Sequence, residues 1–403
     1  MPEAVIVATA RSPIGRAFKG SLVSLRPDDM AAQVVKAVLA KVPQLDPATV
    51  EDVIMGCGQP AGEAGYNLAR VVSLLADLPG VPGTTVNRYC SSSLQTIRMA
   101  AHAIKAGEGD VFVAAGVEAV SRFSQGMSDG MPDTHNSAFK QAEERSAARS
   151  LGGGEPWSPP AGLPDVYIAM GQTAENVREL ENVARRDMDE FAALSQQRAV
   201  ASQENGFFER EITPLTLADG TVVTTDDGPR PGTTVEKLAE LKPAFRPDGE
   251  VTAGNSCPLN DGAAAVIVMS DTRARELGIQ PLARIVSSGV TALNPEIMGL
   301  GPIEACRQAL KRAGMTMDDI DLVEINEAFA AQVVPSARHL GIDYDKLNVH
   351  GGSIALGHPF GMTGARIMTT LINGLQTEDK TFGLESMCVG GGQGMAMIVE
   401  RLS

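Results

Sequence analysis

Four short stretches of this chain carry residues able to do covalent chemistry. The first is Asn87-Arg88-Tyr89-Cys90-Ser91-Ser92-Ser93-Leu94-Gln95. A probable strand, Thr84 to Val86, runs into Cys90, and Leu94 to Lys105 then shows apolar residues at helical spacing. Cys90 is thus expected between a strand end and a helix N-terminus, where unpaired N–H groups favour thiolate over thiol. The second stretch is Asn326-Glu327-Ala328-Phe329-Ala330, at the end of a predicted strand. Its asparagine can hold a water, donate to an oxyanion, or cap the helix that follows. The third, Gly351-Gly352-Ser353-Ile354-Ala355-Leu356-Gly357-His358-Pro359, offers a histidine. Beside a cysteine in space, that imidazole can take the thiol proton. The proline after it suits the first turn of a helix. The fourth, Cys388-Val389-Gly390-Gly391-Gly392-Gln393-Gly394, puts a second thiol before a glycine turn. That thiol could pair in a disulfide, move a proton, or simply pack. The turn's N–H groups could form an oxyanion hole.

The elements around these stretches alternate between strand and helix. Residues 4–10 read as a doubly buried strand, Asp28 to Lys41 as a helix, Val50 to Met55 as a strand, and Asp110 to Ala115 as another. After about Val120 the texture changes. Residues 121–167 are rich in Gly, Pro, Ser and Asp, and one long amphipathic pattern follows from Thr173 to Asn205. From Ala263 the alternation resumes, with strands at Ala264 to Met269, Ala283 to Val290 and Leu322 to Ile325, and closing strands at Thr381 to Cys388 and Met395 to Glu400. This is the pattern of an α/β sheet covered on both faces. The two ends match in layout: extended segment, special turn, then helix, at Val86 to Cys90 and again at Val349 to His358. That layout suggests a duplicated unit.

Composition narrows the class. At 403 residues, 43% hydrophobic and 21% charged, the chain is an ordinary globular one, long enough for two or three domains. The net charge of −15 argues against nucleic-acid binding and requires a local basic patch for any anionic ligand. No apolar run is long enough to span a membrane. The five cysteines, Cys57, Cys90, Cys257, Cys306 and Cys388, include no C-x-x-C pair, so no metal site is expected. Their odd number, with a first segment that reads as a strand and not a signal peptide, fits a cytoplasmic location.

Taken together, the four stretches resemble the thiolase family. So do the opening Val5 to Gly15, the run Arg230-Pro231-Gly232-Thr233-Thr234, and the segments Leu241 to Phe245, Thr252 to Asn255 and Asn260 to Ala264. The resemblance covers essentially the whole chain. It implies a five-layered α-β-α-β-α core made of two similar halves, with an inserted loop domain. The expected division is 1–120 with 250–270 for the first half, 121–249 for the insertion that binds CoA and substrate, and 271–403 for the second half. The implied reaction is reversible Claisen cleavage of a 3-ketoacyl-CoA to acetyl-CoA and a shortened acyl-CoA, as in fatty-acid β-oxidation. By the same resemblance Cys90 takes the acyl group and His358 activates it. Asn326 holds a water that, with His358, stabilises the enolate. N–H groups of Cys90 and Gly390 form the other oxyanion hole, and Cys388 moves the C2 proton. CoA is a co-substrate; no tightly bound cofactor is implied, and a homodimer or homotetramer is expected. CoA contacts fall on Arg230, Leu241, Phe245, Ala253, Met170 and Phe329, with Lys237, Lys242 and Arg246 as further sources of positive charge.

The chain departs from the family pattern in places. Cys257 stands where a serine is usual near the pantetheine, and His350 replaces a common asparagine, read here as a support to the site. Ala169-Met170-Gly171 lacks the histidine that short-chain biosynthetic members carry, which favours the degradative direction. The competing readings are synthesis of acetoacetyl-CoA from two acetyl-CoA, a non-catalytic lipid-binding relative, and a Cys–His hydrolase. The last has no use for Cys388.

Overall fold

The structure, a computed structural model, describes residues 2–403. Twelve strands follow one another along the chain. They are β1 (Ala4–Arg11), β2 (Gly15–Arg16), β3 (Asp52–Gly56), β4 (Gly83–Val86), β5 (Val111–Ala119), β6 (Leu215–Thr216), β7 (Val222–Val223), β8 (Asn260–Ser270), β9 (Ala283–Ala292), β10 (Leu322–Ile325), β11 (Phe382–Val389) and β12 (Gln393–Arg401). Why the long ones are apolar throughout is visible in β8. Ala263, Ala265, Ile267 and Met269 face one core, while Ala264, Val266 and Val268 face another. A strand buried on both faces has no polar side to alternate with.

Nine strands run in the order β10-β11-β12-β9-β1-β8-β5-β3-β4, with β2 added beside β8. The order is symmetric about its middle. On one side β3 is parallel to β4 and β5, and β8 is antiparallel to β5 and β1. On the other, β10 is parallel to β11 and bridges Leu347 in parallel, while β12 is antiparallel to β11 and β9. The halves meet where Val5 and Ile6 of β1 pair with Arg284 and Ala283 of β9. The duplication inferred from layout is therefore present as a repeated strand order.

Three hydrophobic cores define five layers. Helices Pro27–Ala40 and Leu68–Leu75 cover the first half through Val34, Val38, Leu68 and Val72. Helices Ser92–Ala106 and Thr363–Thr377 lie between the halves and share one core through Leu94, Ile97, Ile367 and Leu371. Helices Gly301–Ala313 and Ala330–Leu340 cover the second half through Ala305, Ala309 and Val333. Burying a side chain such as Leu94 or Ile97 contributes about 1.5–3 kcal/mol each, so the middle layer is held firmly. The reactive cysteine and histidine stretches open those two middle helices.

The insertion between β5 and β8 differs from its sequence reading. The pattern from Thr173 to Asn205 is two helices, Met170–Leu180 and Arg185–Glu204. Asn182 lies between them with a left-handed backbone, φ 50°, which a right-handed helix cannot contain. The insertion is tied to the core by Arg11 at the end of β1. Its buried guanidinium pairs with Glu211 at 2.7 Å and Asp226 at 2.8 Å. Removing one partner of such a buried set leaves an uncompensated charge, at a cost of about 3–5 kcal/mol.

Candidate active site

Cys90 sits in a single 3-10 turn, Tyr89–Ser91, between β4 and the helix Ser92–Ala106. The turn is tight: Tyr89 is held at φ 42° while its N–H donates to Asn87 Oδ1 at 2.8 Å. Ser92 Oγ accepts from Arg88 N at 2.9 Å and donates to the Tyr89 carbonyl at 2.7 Å. The placement agrees with the sequence reading, but its electrostatic consequence does not. Burial pushes the Cys90 thiol up to about 11, against the pull of N–H groups from Gly390 and from Cys90 itself. Local helix geometry favours the thiolate; desolvation outweighs it. The resting group is a thiol.

His358 is buried, and burial, aided by the charge of Arg366, brings its imidazole down to about 3. It is neutral, and its hydrogen bonds assign the tautomer. Thr363 Oγ1 spends its proton on the Pro359 carbonyl at 2.8 Å, so it accepts from His358 Nδ1 at 2.6 Å. Nε2 is therefore the basic nitrogen. The helix expected to begin at Pro359 begins at Thr363 instead, leaving Pro359 in a turn whose carbonyl serves this purpose. His358 N donates to Asn260 Oδ1 at 3.1 Å. Gly357 must be glycine here: its φ is +115°, and a Cβ would enter the Asn260 carboxamide.

Two further contacts lock the histidine loop to the cysteine turn. Ser93 Oγ accepts from Ala365 N at 2.9 Å. The buried carboxylate of Glu118 accepts from Gly58 N at 2.8 Å, Gln59 N at 3.1 Å and Gly361 N at 2.8 Å. Burial raises that carboxyl to about 7.

Asn326 follows β10 and does not cap the next helix, whose cap is Phe329. Its Nδ2 donates to His358 Nε2 at 3.3 Å. Cys388, fully buried near the end of β11, precedes the turn Gly390–Gly392. Burial pushes its thiol well up, and charge on Cys90 or Cys257 would oppose its ionisation further. These three cysteines therefore lie close together; all five in the chain are free thiols.

The CoA candidates form a separate group at the surface. Phe245 meets Phe329 edge-on with ring centres 5.8 Å apart. A Cβ on Gly171, beside Met170, would strike the Phe245 ring, and one on Gly254, beside Ala253, would strike Leu241. Leu241, Phe245 and Ala253 are exposed, while Phe329 is buried. The same loop reaches the reactive stretch, since Cys257 N donates to the Ala328 carbonyl at 3.1 Å. Arg230 is exposed, has no carboxylate partner among the described residues, and lies near enough to Arg16 for their charges to oppose. Arg246 is not available as a phosphate contact. It is buried, paired with Glu179 at 2.9 Å and bonded to Gln172 and Asn176. His350 is also elsewhere: it stacks on Phe207 with ring centres 3.6 Å apart and meets Ser202 Oγ at 3.3 Å.

Reading from sequence missed Thr363, Asn260, Glu118 and the link from Ser353 to Asn326. Asn260 and Ser353 lie inside stretches quoted above, but nothing local shows that their side chains reach the histidine loop and Asn326.

A thiol, a neutral imidazole with its basic nitrogen assigned, and backbone N–H groups aimed at the thiol are the chemistry of a cysteine acyltransferase. The comparisons agree. The thiolase N-terminal domain model matches residues 4–272, and the thiolase C-terminal domain model matches residues 279–401. A 3-ketoacyl-CoA thiolase of Serratia proteamaculans is 44% identical over the full length of both chains. A beta-ketoadipyl-CoA thiolase of Acinetobacter baylyi is 43% identical, again over both full lengths. The solved acetyl-CoA acetyltransferase of Bacillus anthracis superposes with a TM-score of 0.85 at 40% identity, covering 100% of this chain and 99% of that one. The chain belongs to the thiolase family. No helix among the described residues is long and apolar enough to cross a membrane.

Proposed function

We propose that this chain cleaves 3-ketoacyl-CoA reversibly with CoA, yielding acetyl-CoA and an acyl-CoA two carbons shorter. The observation that carries this reading is the fixed junction of the cysteine turn and the histidine loop, with Nε2 of a neutral His358 held beside Asn326. Cys90 passes its proton to His358 as its sulfur attacks the 3-keto carbon, and N–H groups of Cys90 and Gly390 stabilise the oxyanion. The C2–C3 bond then breaks. The electron pair becomes the enolate of acetyl-CoA, stabilised by His358 and a water held by Asn326, and Cys388 returns a proton to C2. CoA then takes the acyl group from Cys90. CoA is a co-substrate in this scheme, and no bound cofactor enters it. Thiolysis rates across a panel of 3-ketoacyl-CoAs of increasing chain length test the reading. Degradation predicts turnover of chains longer than acetoacetyl; activity confined to acetoacetyl-CoA would favour synthesis.

Arg230, Leu241, Phe245, Ala253, Met170 and Phe329 are read as the CoA site. Residues 121–249 are read as the domain that supplies most of it. Arg230 is the free cation there. Arg230→Ala is expected to raise KM for CoA about 10–100-fold, the worth of one charge-assisted hydrogen bond, with kcat nearly unchanged. A fall in kcat at constant KM would assign it another role.

The chain is also read as a homodimer or a dimer of dimers. β4 ends the sheet with an unpaired edge, and Tyr66 (95% exposed) and Leu74 (52%) stand near it. Sedimentation should give at least twice the 42.2 kDa chain mass, and a monomer at micromolar concentration would overturn this. Five free thiols suit a reducing compartment such as the cytoplasm.

A further inference from the structure

A carboxamide has two ends of similar size and opposite polarity, and only one orientation of Asn326 serves the proposed chemistry. With Nδ2 toward His358, its N–H groups can hold a water and bind an enolate oxygen. Turned over, its oxygen would face the unprotonated Nε2, acceptor against acceptor. Something must choose between the two.

The choice is traceable through a buried chain of hydrogen bonds. Arg366 Nη2 donates to Ser353 Oγ at 2.9 Å, and Ser353 Oγ donates to Asn326 Oδ1 at 2.6 Å. Asn326 Nδ2 then donates to His358 Nε2 at 3.3 Å. A guanidinium can only donate. It therefore occupies an acceptor site on Ser353 and leaves the hydroxyl proton for Asn326. The direction of the chain is fixed at its other end by Thr363, which holds the proton of His358 on Nδ1. Every member is at most 2% exposed, so water does not compete for these groups. Arg366 sits on the helix Thr363–Thr377 with Glu324 of β10 and Glu385 of β11 close enough to feel its charge. Its position is thus set by the second half's sheet.

We propose that Arg366 and Ser353 are positioning residues: the guanidinium, acting through the hydroxyl, fixes and polarises the Asn326 carboxamide so that its N–H groups face the reacting carbon chain. The proposal rests on the reading of Asn326 as the group that stabilises the enolate. It predicts a selective defect. Loading Cys90 with an acetyl group uses the N–H groups of Cys90 and Gly390 and does not call on Asn326. Enolate formation does.

The test is Ser353→Ala, read by intact mass for acetyl-enzyme, by C2 deuterium exchange into acetyl-CoA, and by thiolysis kinetics. Exchange and thiolysis kcat should fall about 10–100-fold, somewhat less than loss of an oxyanion donor itself. Acylation should stay within about threefold and KM for CoA should not move, the mark of an interaction made in the transition state. On an Asn326→Ala background, adding Ser353→Ala should cost less than about twofold more, because a residue acting through another is non-additive with it. Ser353→Thr keeps the hydroxyl and should recover exchange. Should Ser353→Ala not fold, Arg366→Lys keeps the charge without the reach and should show the same selective loss. Equal loss of both stages, additive losses in the double variant, or wild-type exchange in Ser353→Ala would overturn the proposal. If Asn326→Ala itself exchanges normally, the role given to Asn326 fails, which the single variant reports separately.

Discussion

Cys90→Ser retains less than about one part in 10⁴ of wild-type thiolysis, the scale seen when a covalent nucleophile is removed. The change is one atom, so packing in the 3-10 turn survives; the chemistry does not. Serine's proton is far harder to remove than that of a thiol, and the site provides nothing to compensate. The Cys90 thiol is already pushed up to about 11 by burial, and His358 is brought down to about 3. Between those values the resting pair is neutral thiol and neutral imidazole, so proton transfer has to accompany attack on the carbonyl. That pairing has its own pH signature. The thiolate fraction of Cys90 rises as pH approaches 11 from below, while His358 stays neutral above about 3. Alkylation of Cys90 by iodoacetamide should therefore climb about tenfold per pH unit from 7 to 10 without a plateau, as for any thiol below its pKa. A plateau below pH 8 would mean a preformed thiolate–imidazolium pair. Peptide mapping after incubation with acetyl-CoA should find the acyl group on Cys90 alone; finding it on Cys257 or Cys388 would reassign the nucleophile.

How far the sequence carried this picture depends on whether a feature is local. The strand, turn and helix around Cys90 are local, and each was readable from apolar spacing. The same local reasoning misjudged the charge on Cys90, because burial is contributed by the middle helix layer and the glycine turn at Gly390, hundreds of residues away. Arg246 shows the same gap. A cation near a candidate anion site reads as available until Glu179, on the helix Met170–Leu180, is found holding it. Asn182 broke a helix that periodicity alone extends through it, since an αL residue leaves the apolar pattern intact. Ser353 and Asn326 are separated by a strand-to-helix connection, and no spacing rule ties a serine to the far end of a carboxamide. The repeated layout was legible because each half repeats its own local order. The pairing of β1 with β9 that joins them was not.

Cys388→Ala should separate the two halves of the reaction. Loading Cys90 from acetyl-CoA is thioester exchange: the Cys90 proton goes to His358, the carbonyl oxygen is held by N–H groups of Cys90 and Gly390, and CoA leaves as thiol. No proton leaves C2. Making or breaking the C2–C3 bond does require that proton to move, and a thioester C2–H gives it up too slowly unaided. Cys388 is placed for that task, fully buried beside Cys90 and Cys257, and burial holds its thiol well up in the protonated form. A protonated thiol can donate to the enolate carbon, and the thiolate left behind is a strong enough base to take the proton back. The variant should acetylate Cys90 at close to the wild-type rate. C2 deuterium exchange and thiolysis should fall by about 10²–10⁴-fold, the usual range for a general acid–base group. His358→Ala should differ by impairing both stages, because Nε2 serves Cys90 in one and the enolate in the other. Intact-mass detection of the acetyl-enzyme, run beside exchange and thiolysis for both variants, distinguishes the cases. If Cys388→Ala fails to acetylate, or keeps normal thiolysis, the two thiols do not divide the work in this way.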